Sequence, residues 1–334
     1  MKAYAYVENI GIESLREVAR PDPEPGPNDI VLRMRAIALN HRDLAIANGH
    51  YHVAVKAPLI PISDGAGEVI AIGNQVSRFR VGELACPTYM PDWIVGPVTR
   101  ESAKRRLGAP SDGVMAEYLC LHENEAVRAP RHLSAEEAAS LPVSAVTAWH
   151  SLFNHGKVQP GDSVLVLGSG GVSTAAIQFA SAAGAEVISV VRNEQHAHGL
   201  TILGARTVVL SSDQDWPHQV VRATHGRGVD VVVDVVGSTI AQSIAATKVG
   251  GLIHLVGYVG STHAQLDIFD AIRHATTLKL ATAGPRTSFE SMVRAMELNE
   301  IKPPKPTTLP IERWREGFNR LSTGGHFGKI VLTL

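Results

Sequence analysis

A short apolar run followed at once by glycines carries the clearest chemical signal in this sequence. Residues 163–167 (SVLVL) are typical of a buried strand, and Gly168, Gly170 and Gly171 follow directly. Glycine has no Cβ, so this turn lets a ligand approach the backbone before the alanine-rich helix that comes next. The N-terminus of such a helix points N–H groups at a pyrophosphate. We therefore predict a dinucleotide site, rather than an ordinary strand–helix turn, at Gly168, Ser169, Gly170, Gly171 and Val172.

The end of the next predicted strand bears on the choice of dinucleotide. In such units an acidic residue about 20 residues beyond the glycines binds the ribose 2′-hydroxyl, whereas an arginine accommodates a 2′-phosphate. The strand Glu186–Val191 ends at Arg192, and the first acid after it is Glu194. A guanidinium matches the geometry of a phosphate. Arg192 therefore predicts NADP(H) rather than NAD(H), and the alternative is a solvated arginine at a strand end.

Helices and strands alternate on both sides of the glycine motif. The capping-box pattern at 134–137 opens a helix predicted to end near Leu141-Pro142, and a second helix is predicted from about Ala145 to Asn154. The later strands are predicted at Glu186–Val191, Thr207–Leu210, Val229–Val235, Leu252–Gly257 and Thr277–Ala281. This alternation predicts a doubly wound parallel sheet that binds ligands at the carboxyl ends of its strands. That rule adds three predicted cofactor contacts: Val236, Gly257 and Tyr258.

The first third of the chain is β-rich. Strands are predicted at residues 2–7, 30–39, 63–73 and 81–85, with short turns between them and a proline-rich surface connection at 21–27. From Cys86 to Gly113 the pattern breaks into a long irregular loop, and loops of this length in compact domains are usually functional. Tyr89 and Trp93 are candidates for apolar contacts with a substrate, and the alternative is that they cap the core beneath the loop. One further helix is predicted after Ser288, and a final strand ends at Leu332.

Composition limits the class of protein. The chain has 334 residues, 45% hydrophobic and 19% charged, which suits two globular domains. A formal net charge of −1 argues against nucleic acid or an anionic membrane as the main partner. No apolar run approaches the roughly 18–20 residues of a membrane helix, and the N-terminus lacks the apolar region of a signal peptide. Cys86 and Cys120 are too few for a disulfide framework. We expect a cytoplasmic enzyme with a small-molecule substrate.

Three segments carry a resemblance that extends over essentially the whole chain. The spacing of Gly67, Gly73 and Val76, the segment Asn40–Leu44 and the segment Leu141–Thr147 resemble the medium-chain dehydrogenase/reductase superfamily. The resemblance implies a GroES-like catalytic domain at 1–143 and 284–334, with a Rossmann NADP(H)-binding domain at 144–283 between its parts. It also implies a homodimer joined through the edge of the Rossmann sheet.

This chain departs from the family pattern at the positions that bind zinc in the zinc-containing members. Where zinc-containing members have a Gly-His-Glu triplet, this chain has Ile62-Ser63-Asp64. By the resemblance, the three positions of the catalytic zinc ligands are Asn40, Ser63 and Val143. None is a good zinc ligand, and valine cannot coordinate a metal at all. The loop at 86–113 also lacks the four cysteines of the structural zinc lobe, so we expect a zinc-independent member without a metal site.

Within the superfamily the chain is similar to the quinone oxidoreductase and alkenal or enoyl reductase group. The resemblance places Asn40, Tyr51 and His52 in the segment that faces the nicotinamide. Asn40 would donate to a substrate carbonyl, Tyr51 or His52 would deliver a proton, and Asp43 would be a structural acceptor. The family positions that flank the nicotinamide or close the active site fall on Thr147, Gly284 and Lys329, and for Lys329 a surface charge is the alternative.

These expectations combine into one function and two alternatives. The predicted protein is an NADPH-dependent oxidoreductase that transfers hydride to a small conjugated carbonyl, either a quinone or an α,β-unsaturated aldehyde or ketone. Conjugated acceptors need no Lewis acid, which suits a site without metal. The first alternative is an alcohol dehydrogenase or ketone reductase that uses side-chain acid–base groups. The second is a non-catalytic protein that binds NADPH as a sensor or for structure.

Overall fold

The computed structural model describes residues 1–213, 215–280 and 283–334. The chain divides into two compact units, Met1–Val146 together with Gly284–Leu334, and Thr147–Ala283. Both ends of the chain therefore belong to the first unit. The first junction lies after residue 146, whereas the sequence predicted it after residue 143. Within the described ranges, no helix is long and apolar enough to cross a membrane.

The strands are numbered along the chain. Those of the first unit come before and after those of the second, and the series is β1 Lys2–Tyr6, β2 Leu15–Ala19, β3 Asp29–Ala38, β4 Asp64–Ile72, β5 Leu84–Pro87, β6 Tyr118–His122, β7 Ala126–Arg128, β8 Ser163–Leu167, β9 Glu186–Val191, β10 Thr207–Leu210, β11 Val229–Asp234, β12 Thr247–Leu255, β13 Thr277–Leu280, β14 Thr307–Pro310 and β15 Ile330–Thr333.

The α-helices are numbered in the same way: α1 His41–Ala47, α2 Ala135–Ala139, α3 Val146–Trp149, α4 Gly171–Ala182, α5 Ala197–Ile202, α6 Trp216–Ala223, α7 Ile240–Ala246, α8 Ile268–His274, α9 Arg286–Leu298 and α10 Trp314–Thr323. Single π-helical turns, Leu141–Ala145 and His150–His155, adjoin α3.

The first unit is built on a mainly antiparallel sheet. Its strand order is β14-β15-β3-β4-β5-β7, with β6 also paired to β3, while β1 and β2 form a separate pair. The register of β3 matters most for the site. Its last residue, Ala38, pairs with Asp64 at the start of β4 and with Val331 of β15. Residues just outside these three strand ends are therefore brought together, although they are far apart in the sequence.

The second unit is a parallel sheet in the order β10-β9-β8-β11-β12-β13, and every neighbouring pair is parallel. Counted from β8, this order is 3-2-1-4-5-6, the arrangement of a Rossmann domain. The strand β8 is fully buried because both faces of the sheet are covered. All the carboxyl ends of these parallel strands lie along one edge of the sheet.

The predicted α/β fold class is confirmed by the β-rich first unit and the parallel sheet of the second. The predictions Glu186–Val191 and Thr207–Leu210 match β9 and β10 to the residue. The prediction 277–281 matches β13 as far as Leu280, and its last residue, Ala281, lies outside the described residues.

Some local predictions differ from the structure. The helix predicted to end near Leu141-Pro142 ends at Ala139, and a π-helical turn follows it, with Pro142 in the first turn, where the missing N–H is not needed. The strand predicted at 81–85 begins at Leu84, because Gly82 has a φ of 92° and forms a turn. The sequence pattern also did not predict α1, which begins directly after Asn40, or α10.

Candidate active site

A cluster of polar side chains lies at the strand ends that meet around β3. We call it the polar cluster, and it consists of Asn40, Ser63, Asp64, Ser144 and Lys329. Asn40 lies two residues after β3, Ser63 directly precedes β4, and Lys329 directly precedes β15. The pairing of Ala38 with both Asp64 and Val331 therefore sets these residues side by side. All five are buried.

Hydrogen bonds fix every member of the polar cluster. Lys329 Nζ donates to the carbonyl oxygen of Leu39 and to Oδ1 of Asn40, each at 2.6 Å. Ser144 Oγ donates to the same Oδ1 at 3.3 Å. On the other side of the carboxamide, Asn40 Nδ2 donates to Ser63 Oγ at 3.4 Å, and Ser63 Oγ donates to Asp64 Oδ1 at 2.7 Å. These bonds make one continuous network.

The three positions predicted from zinc-containing relatives lie in or against this network, but they do not fit a zinc ion. Val143 contributes its backbone N–H, which donates to Asp64 Oδ2 at 2.9 Å. Asn40 presents its oxygen to an ammonium group, and a dication beside Lys329 would be repelled. Zinc requires thiolate, imidazole or carboxylate ligands, and these positions supply asparagine, serine and valine. Among the described residues, no group of three or more His, Cys, Asp or Glu could hold a metal.

Lys329 is buried, with 6% of its surface exposed, so the alternative of a surface charge is wrong. Its position just before β15 turns the side chain inward, toward the carbonyl oxygen of Leu39. Burial lowers the pKa of Lys329, while the charges of Asp64 and Asp43 act in the opposite direction. The sequence predicted that Lys329 contacts the cofactor, and this stays a prediction. Within the first unit, Lys329 hydrogen-bonds to Leu39 and Asn40.

Asp43 holds the start of α1. Its Oδ2 accepts from the backbone N–H of Asn40 at 2.8 Å, and its Oδ1 accepts from Arg42 at 3.1 Å. Burial raises the pKa of Asp43 to about 6, and the guanidinium of Arg42 opposes this shift. Asp43 is thus a structural acceptor that fixes the backbone from which the Asn40 side chain projects.

Arg42 and two tyrosines form a second buried group. The guanidinium lies over the rings of Tyr51 and Tyr89, at 5.2 Å and 4.9 Å from their centroids. The two hydroxyls are 3.1 Å apart, and Arg42 Nε donates to the Tyr51 hydroxyl at 3.4 Å. Tyr89 is buried, and burial raises its pKa. Its hydroxyl therefore supports Tyr51, a role that the apolar contact predicted for Tyr89 did not include.

Tyr51 and His52 line a cavity of about 260 Å³ in the first unit. The rest of the lining is mostly apolar: Ile10, Ile46, Gly49, Val53, Ala54 and Val55. The two rings pack with centroids 4.3 Å apart. His52 is exposed, and partial desolvation followed by the charges of Arg106 and Arg42 lowers its pKa. The two predicted proton donors therefore share one small, mainly apolar cavity.

Trp93 packs within its own loop. It is 3% exposed, and its indole N–H donates to the carbonyl oxygen of Gly96 at 2.9 Å. Its own carbonyl oxygen accepts from the backbone N–H of Arg286 at 2.9 Å. These contacts support the alternative in which Trp93 caps the core, and its role in substrate binding stays a prediction.

The glycine turn of the second unit has the geometry that the motif requires. Gly168 has a φ of 85°, a backbone conformation that favours glycine, and α4 begins at Gly171. Ser173, which stands in the place of a third motif glycine, donates to the carbonyl oxygen of Leu167 at 2.7 Å. Ser169 Oγ lies 2.7 Å from Nδ1 of His196, which ties this turn to the segment after β9. Sequence reasoning did not identify His196.

Two further turns lie at the same edge of the parallel sheet, after β11 and β12. Asp234 is buried at the end of β11 and accepts from the backbone N–H groups of Val236 and Gly237 at 2.8 Å and 3.0 Å. A Cβ at Gly257 would lie 2.2 Å from the carbonyl oxygen of Val235, so only glycine fits. Sequence reasoning missed Asp234, although an acid at the end of the apolar run VDVVVD was a usable signal.

The parallel sheet therefore brings most of the predicted cofactor residues to one edge. Gly168, Ser169, Gly170, Gly171 and Val172 follow β8, Arg192 follows β9, Val236 follows β11, and Gly257 with Tyr258 follows β12. Arg192 is exposed, and within the described chain its guanidinium forms no ion pair. Thr147 is buried in the second unit, and its carbonyl oxygen accepts from Ser151 at 2.7 Å. Gly284 is the first residue of the second segment of the first unit.

Comparison with known proteins agrees with this architecture. Residues 26–131 match the family model of the alcohol dehydrogenase GroES-like domain, and residues 171–297 match that of zinc-binding dehydrogenases. The chain is 33% identical over 316 residues to the zinc-type alcohol dehydrogenase-like protein C1773.06c of Schizosaccharomyces pombe, which covers 92% of this chain and 91% of that protein.

Solved structures show the same fold over the full length. A crystal structure of an NAD-dependent alcohol dehydrogenase has a TM-score of 0.90 and 32% identity, covering 100% of both chains. A quinone oxidoreductase of Pseudomonas syringae pv. Tomato DC3000 has a TM-score of 0.82 and 24% identity, covering 100% of this chain and 99% of that chain. The second likeness concerns the fold alone.

Proposed function

The chain belongs to the medium-chain dehydrogenase/reductase superfamily and is an oxidoreductase, and from this premise we propose a zinc-independent, NADP(H)-dependent reductase. Its substrate is a small conjugated carbonyl, either a quinone or an α,β-unsaturated aldehyde or ketone. The observation that carries this proposal is the polar cluster, in which Asn40 and Ser63, at two of the expected zinc-ligand positions, are hydrogen-bonded to each other and Asn40 also accepts from the Lys329 ammonium.

The absence of suitable zinc ligands favours a conjugated acceptor. An isolated carbonyl gains much from a Lewis acid, because the full negative charge develops on one oxygen. In a conjugated acceptor that charge is delocalised, so hydrogen-bond donors suffice to stabilise it. Asn40 supplies such a donor through Nδ2. Tyr51 or His52 supplies the proton that completes the reduction, from the edge of the apolar cavity in the first unit.

The residues of the second unit fit a nicotinamide dinucleotide. When bound, the reduced cofactor supplies the hydride. The backbone N–H groups of the glycine turn from Gly168 to Val172 would hold the pyrophosphate, and Val236, Gly257 and Tyr258 would continue the binding edge. Thr147, Gly284 and Lys329 remain proposed contacts near the nicotinamide end. The exposed guanidinium of Arg192 at the end of β9 supports NADP(H), although one similar structure is named NAD-dependent.

The assembly proposed with this function is a homodimer. In the described part of the chain, β13 is an edge strand of the parallel sheet, and all four of its residues are exposed. Phe269 of the adjacent α8 is 84% exposed, and Ile268 and Ile272 are exposed beside it. An open strand edge flanked by apolar side chains suits a second copy of the same surface. The cytoplasmic location expected from the sequence stays a prediction.

A second candidate function follows from the names of the relatives. Several are alcohol dehydrogenases, which favours reduction of an isolated ketone or oxidation of an alcohol. The matched pair 2-cyclohexen-1-one and cyclohexanone separates the two candidates, since the rings differ only in the conjugated double bond. We expect NADPH oxidation with cyclohexenone and with 1,4-benzoquinone, and little with cyclohexanone.

The product decides between the chemistries. Reduction of cyclohexenone to cyclohexanone supports the proposal, whereas formation of cyclohexenol supports the alcohol dehydrogenase alternative. Binding of NADPH without oxidation by any acceptor in the panel would support the non-catalytic alternative and contradict the proposed function. The assay uses protein purified without chelators, with and without EDTA.

A further inference from the structure

We propose that Lys329 serves as the fixed cation of this active site in place of a metal, by holding the Asn40 carboxamide as a hydrogen-bond donor toward the carbonyl oxygen of the substrate. Lys329 is then a positioning residue, since it acts through Asn40. The inference rests on the proposed function, because it assumes a carbonyl substrate.

The Asn40 carboxamide has a fixed orientation. Oδ1 of Asn40 accepts from Lys329 Nζ at 2.6 Å and from Ser144 Oγ at 3.3 Å, which uses both of its lone pairs. The nitrogen must therefore face the other way. There Ser63 Oγ accepts from Nδ2, because the proton of Ser63 is already donated to Asp64.

This orientation leaves one N–H group of Asn40 available as a donor. An amide nitrogen carries two N–H groups. Among the described residues, Ser63 Oγ is the one partner of Asn40 Nδ2, at the long distance of 3.4 Å. The remaining N–H can donate to an oxygen of a ligand. The reverse orientation of the amide would point an acceptor at that oxygen and repel it.

The charge of Lys329 has no direct ionic partner. Its ammonium is buried, its two hydrogen-bond partners are the neutral oxygens of Leu39 and Asn40, and within the described chain it forms no ion pair, so the charges of Asp64 and Asp43 act on it only at longer range. The nearby carboxylates have other donors: Asp64 accepts from Ser63 and Val143, and Asp43 accepts from Asn40 and Arg42. A buried charge is costly unless it is paired, so an ammonium used only to join strands would be poorly explained.

The charge of Lys329 also changes the donor strength of Asn40. A cation at Oδ1 draws electron density from the amide and makes its N–H groups stronger donors. The field of the ammonium also favours negative charge on a nearby oxygen, as a bound metal would. Lys329 and Asn40 together thus supply the electrostatic part of what zinc supplies, without an open coordination position.

The test compares Lys329→Met, which keeps most of the length of the side chain without its charge, with Lys329→Ala and the exposed-lysine control Lys305→Met. We expect Lys329→Met to lower kcat for cyclohexenone, or for the best acceptor in the panel, by roughly 100- to 1,000-fold. The Kd of NADPH should stay within about threefold, and Lys305→Met should behave like wild type. Ethylammonium should restore part of kcat to Lys329→Ala, and ethanol, which is neutral and of similar size, should not.

Two further measurements keep the inference testable. Dimethylformamide is an amide, so it presents a carbonyl oxygen without accepting hydride and serves as an unreactive ligand. The Kd of dimethylformamide for the enzyme–NADPH complex should rise about tenfold in Lys329→Met. If Lys329→Met fails to fold, Asn40→Asp replaces it, since an aspartate pairs with the ammonium but turns the donor into an acceptor. Asn40→Asp should then also lose kcat.

The outcomes separate the two proposals. A wild-type enzyme that is active, with Lys329→Met or Asn40→Asp equally active, overturns the inference and leaves the proposed function intact. A weaker Kd of NADPH at unchanged kcat makes Lys329 a cofactor contact instead and also overturns the inference. If wild type reduces no acceptor, the proposed function fails, and the Kd of dimethylformamide alone decides: equal values in wild type and Lys329→Met overturn the inference.

Discussion

Lys329 and Asn40 are 289 residues apart in the sequence, and their side chains meet at 2.6 Å between Nζ and Oδ1. The contact exists because β3 lies between β4 and β15 in the sheet, so that three strand ends converge. The same convergence places Ser63 on the opposite side of the carboxamide. Two of the three positions that the sequence predicted for zinc ligands, Asn40 and Ser63, thus belong to a network that contains the ammonium of Lys329.

The first prediction is that the protein does not need zinc. Because Asn40, Ser63 and Val143 offer no strong ligand, we expect well under one equivalent of zinc per chain in protein purified without chelators. Activity should survive EDTA unchanged. The measurement is elemental analysis paired with the NADPH oxidation assay. Stoichiometric zinc that is lost together with activity would contradict this prediction.

The second prediction concerns pH and three neighbouring histidines of the second unit, of which His150 and His254 are buried and His155 is partly exposed. The rings of His150 and His155 are 4.4 Å apart, and those of His155 and His254 are 4.9 Å apart. Burial, followed by the neighbouring histidine, lowers the pKa of His150 to about 4 and that of His254 to about 3. Ser151 is the hydrogen-bond partner of His254 Nδ1, and Lys279 adds positive charge.

The lowered pKa values set the direction in which stability changes with pH. The unfolded chain takes up protons near pH 6.5, while the folded chain keeps these rings neutral until a lower pH. The contribution of these histidines to the free energy of unfolding is therefore complete above about pH 6.5. It is lost as the pH falls toward the pKa values of the folded state, by up to about 1.4 kcal/mol per pH unit for each histidine. Urea unfolding at pH 7.5 and pH 5 measures the loss. His254→Leu should reduce the difference, the exposed control His198→Leu should not, and equal pH dependence in both variants would contradict the prediction.

The third prediction concerns the dimer. Phe269→Glu adds a charge beside the edge strand β13. In a dimer the two added charges would repel each other, and the interface would no longer bury the apolar Phe269 side chains. We expect a wild-type dimer in analytical ultracentrifugation and a mainly monomeric variant. Leu298→Glu, at an equally exposed position (84%) on α9, should leave the mass unchanged. A monomeric wild type, or a Phe269→Glu variant that remains dimeric, would contradict the prediction.

The sequence predicted the second unit better than the site of the first. The signals at Ser163–Leu167, Gly168 and Arg192 are local, because an apolar run, a turn and a strand end are read within a few residues. The role of Lys329 was not accessible in this way, since it depends on the register of β3 with β15. The register of a sheet is set by non-local pairing, which single-sequence patterns do not encode. The hydroxyl pair of Tyr51 and Tyr89 was missed because the two tyrosines lie in separate loops that are brought together only by the fold.

The fourth prediction is that Arg192 sets the preference for NADPH by binding the 2′-phosphate. Hydrogen bonds to charged groups contribute about 1.5–3 kcal/mol, so Arg192→Ala should weaken NADPH binding roughly ten- to a hundredfold. NADH lacks the phosphate and should bind Arg192→Ala almost as well as wild type. Because Arg192 is exposed, the preference should also shrink as salt rises.

Two further variants sharpen this test. Arg192→Asp should go beyond Arg192→Ala, because a carboxylate repels the phosphate and offers an acceptor to the ribose hydroxyls. Arg206→Ala removes another exposed arginine of the second unit, which pairs with Glu186 at 3.5 Å, and should leave the cofactor preference unchanged. The measurement is the ratio of kcat/KM for NADPH and NADH in all four proteins. A wild type that prefers NADH, or a ratio that does not respond to Arg192, would make this residue a solvated surface charge and the cofactor NAD(H).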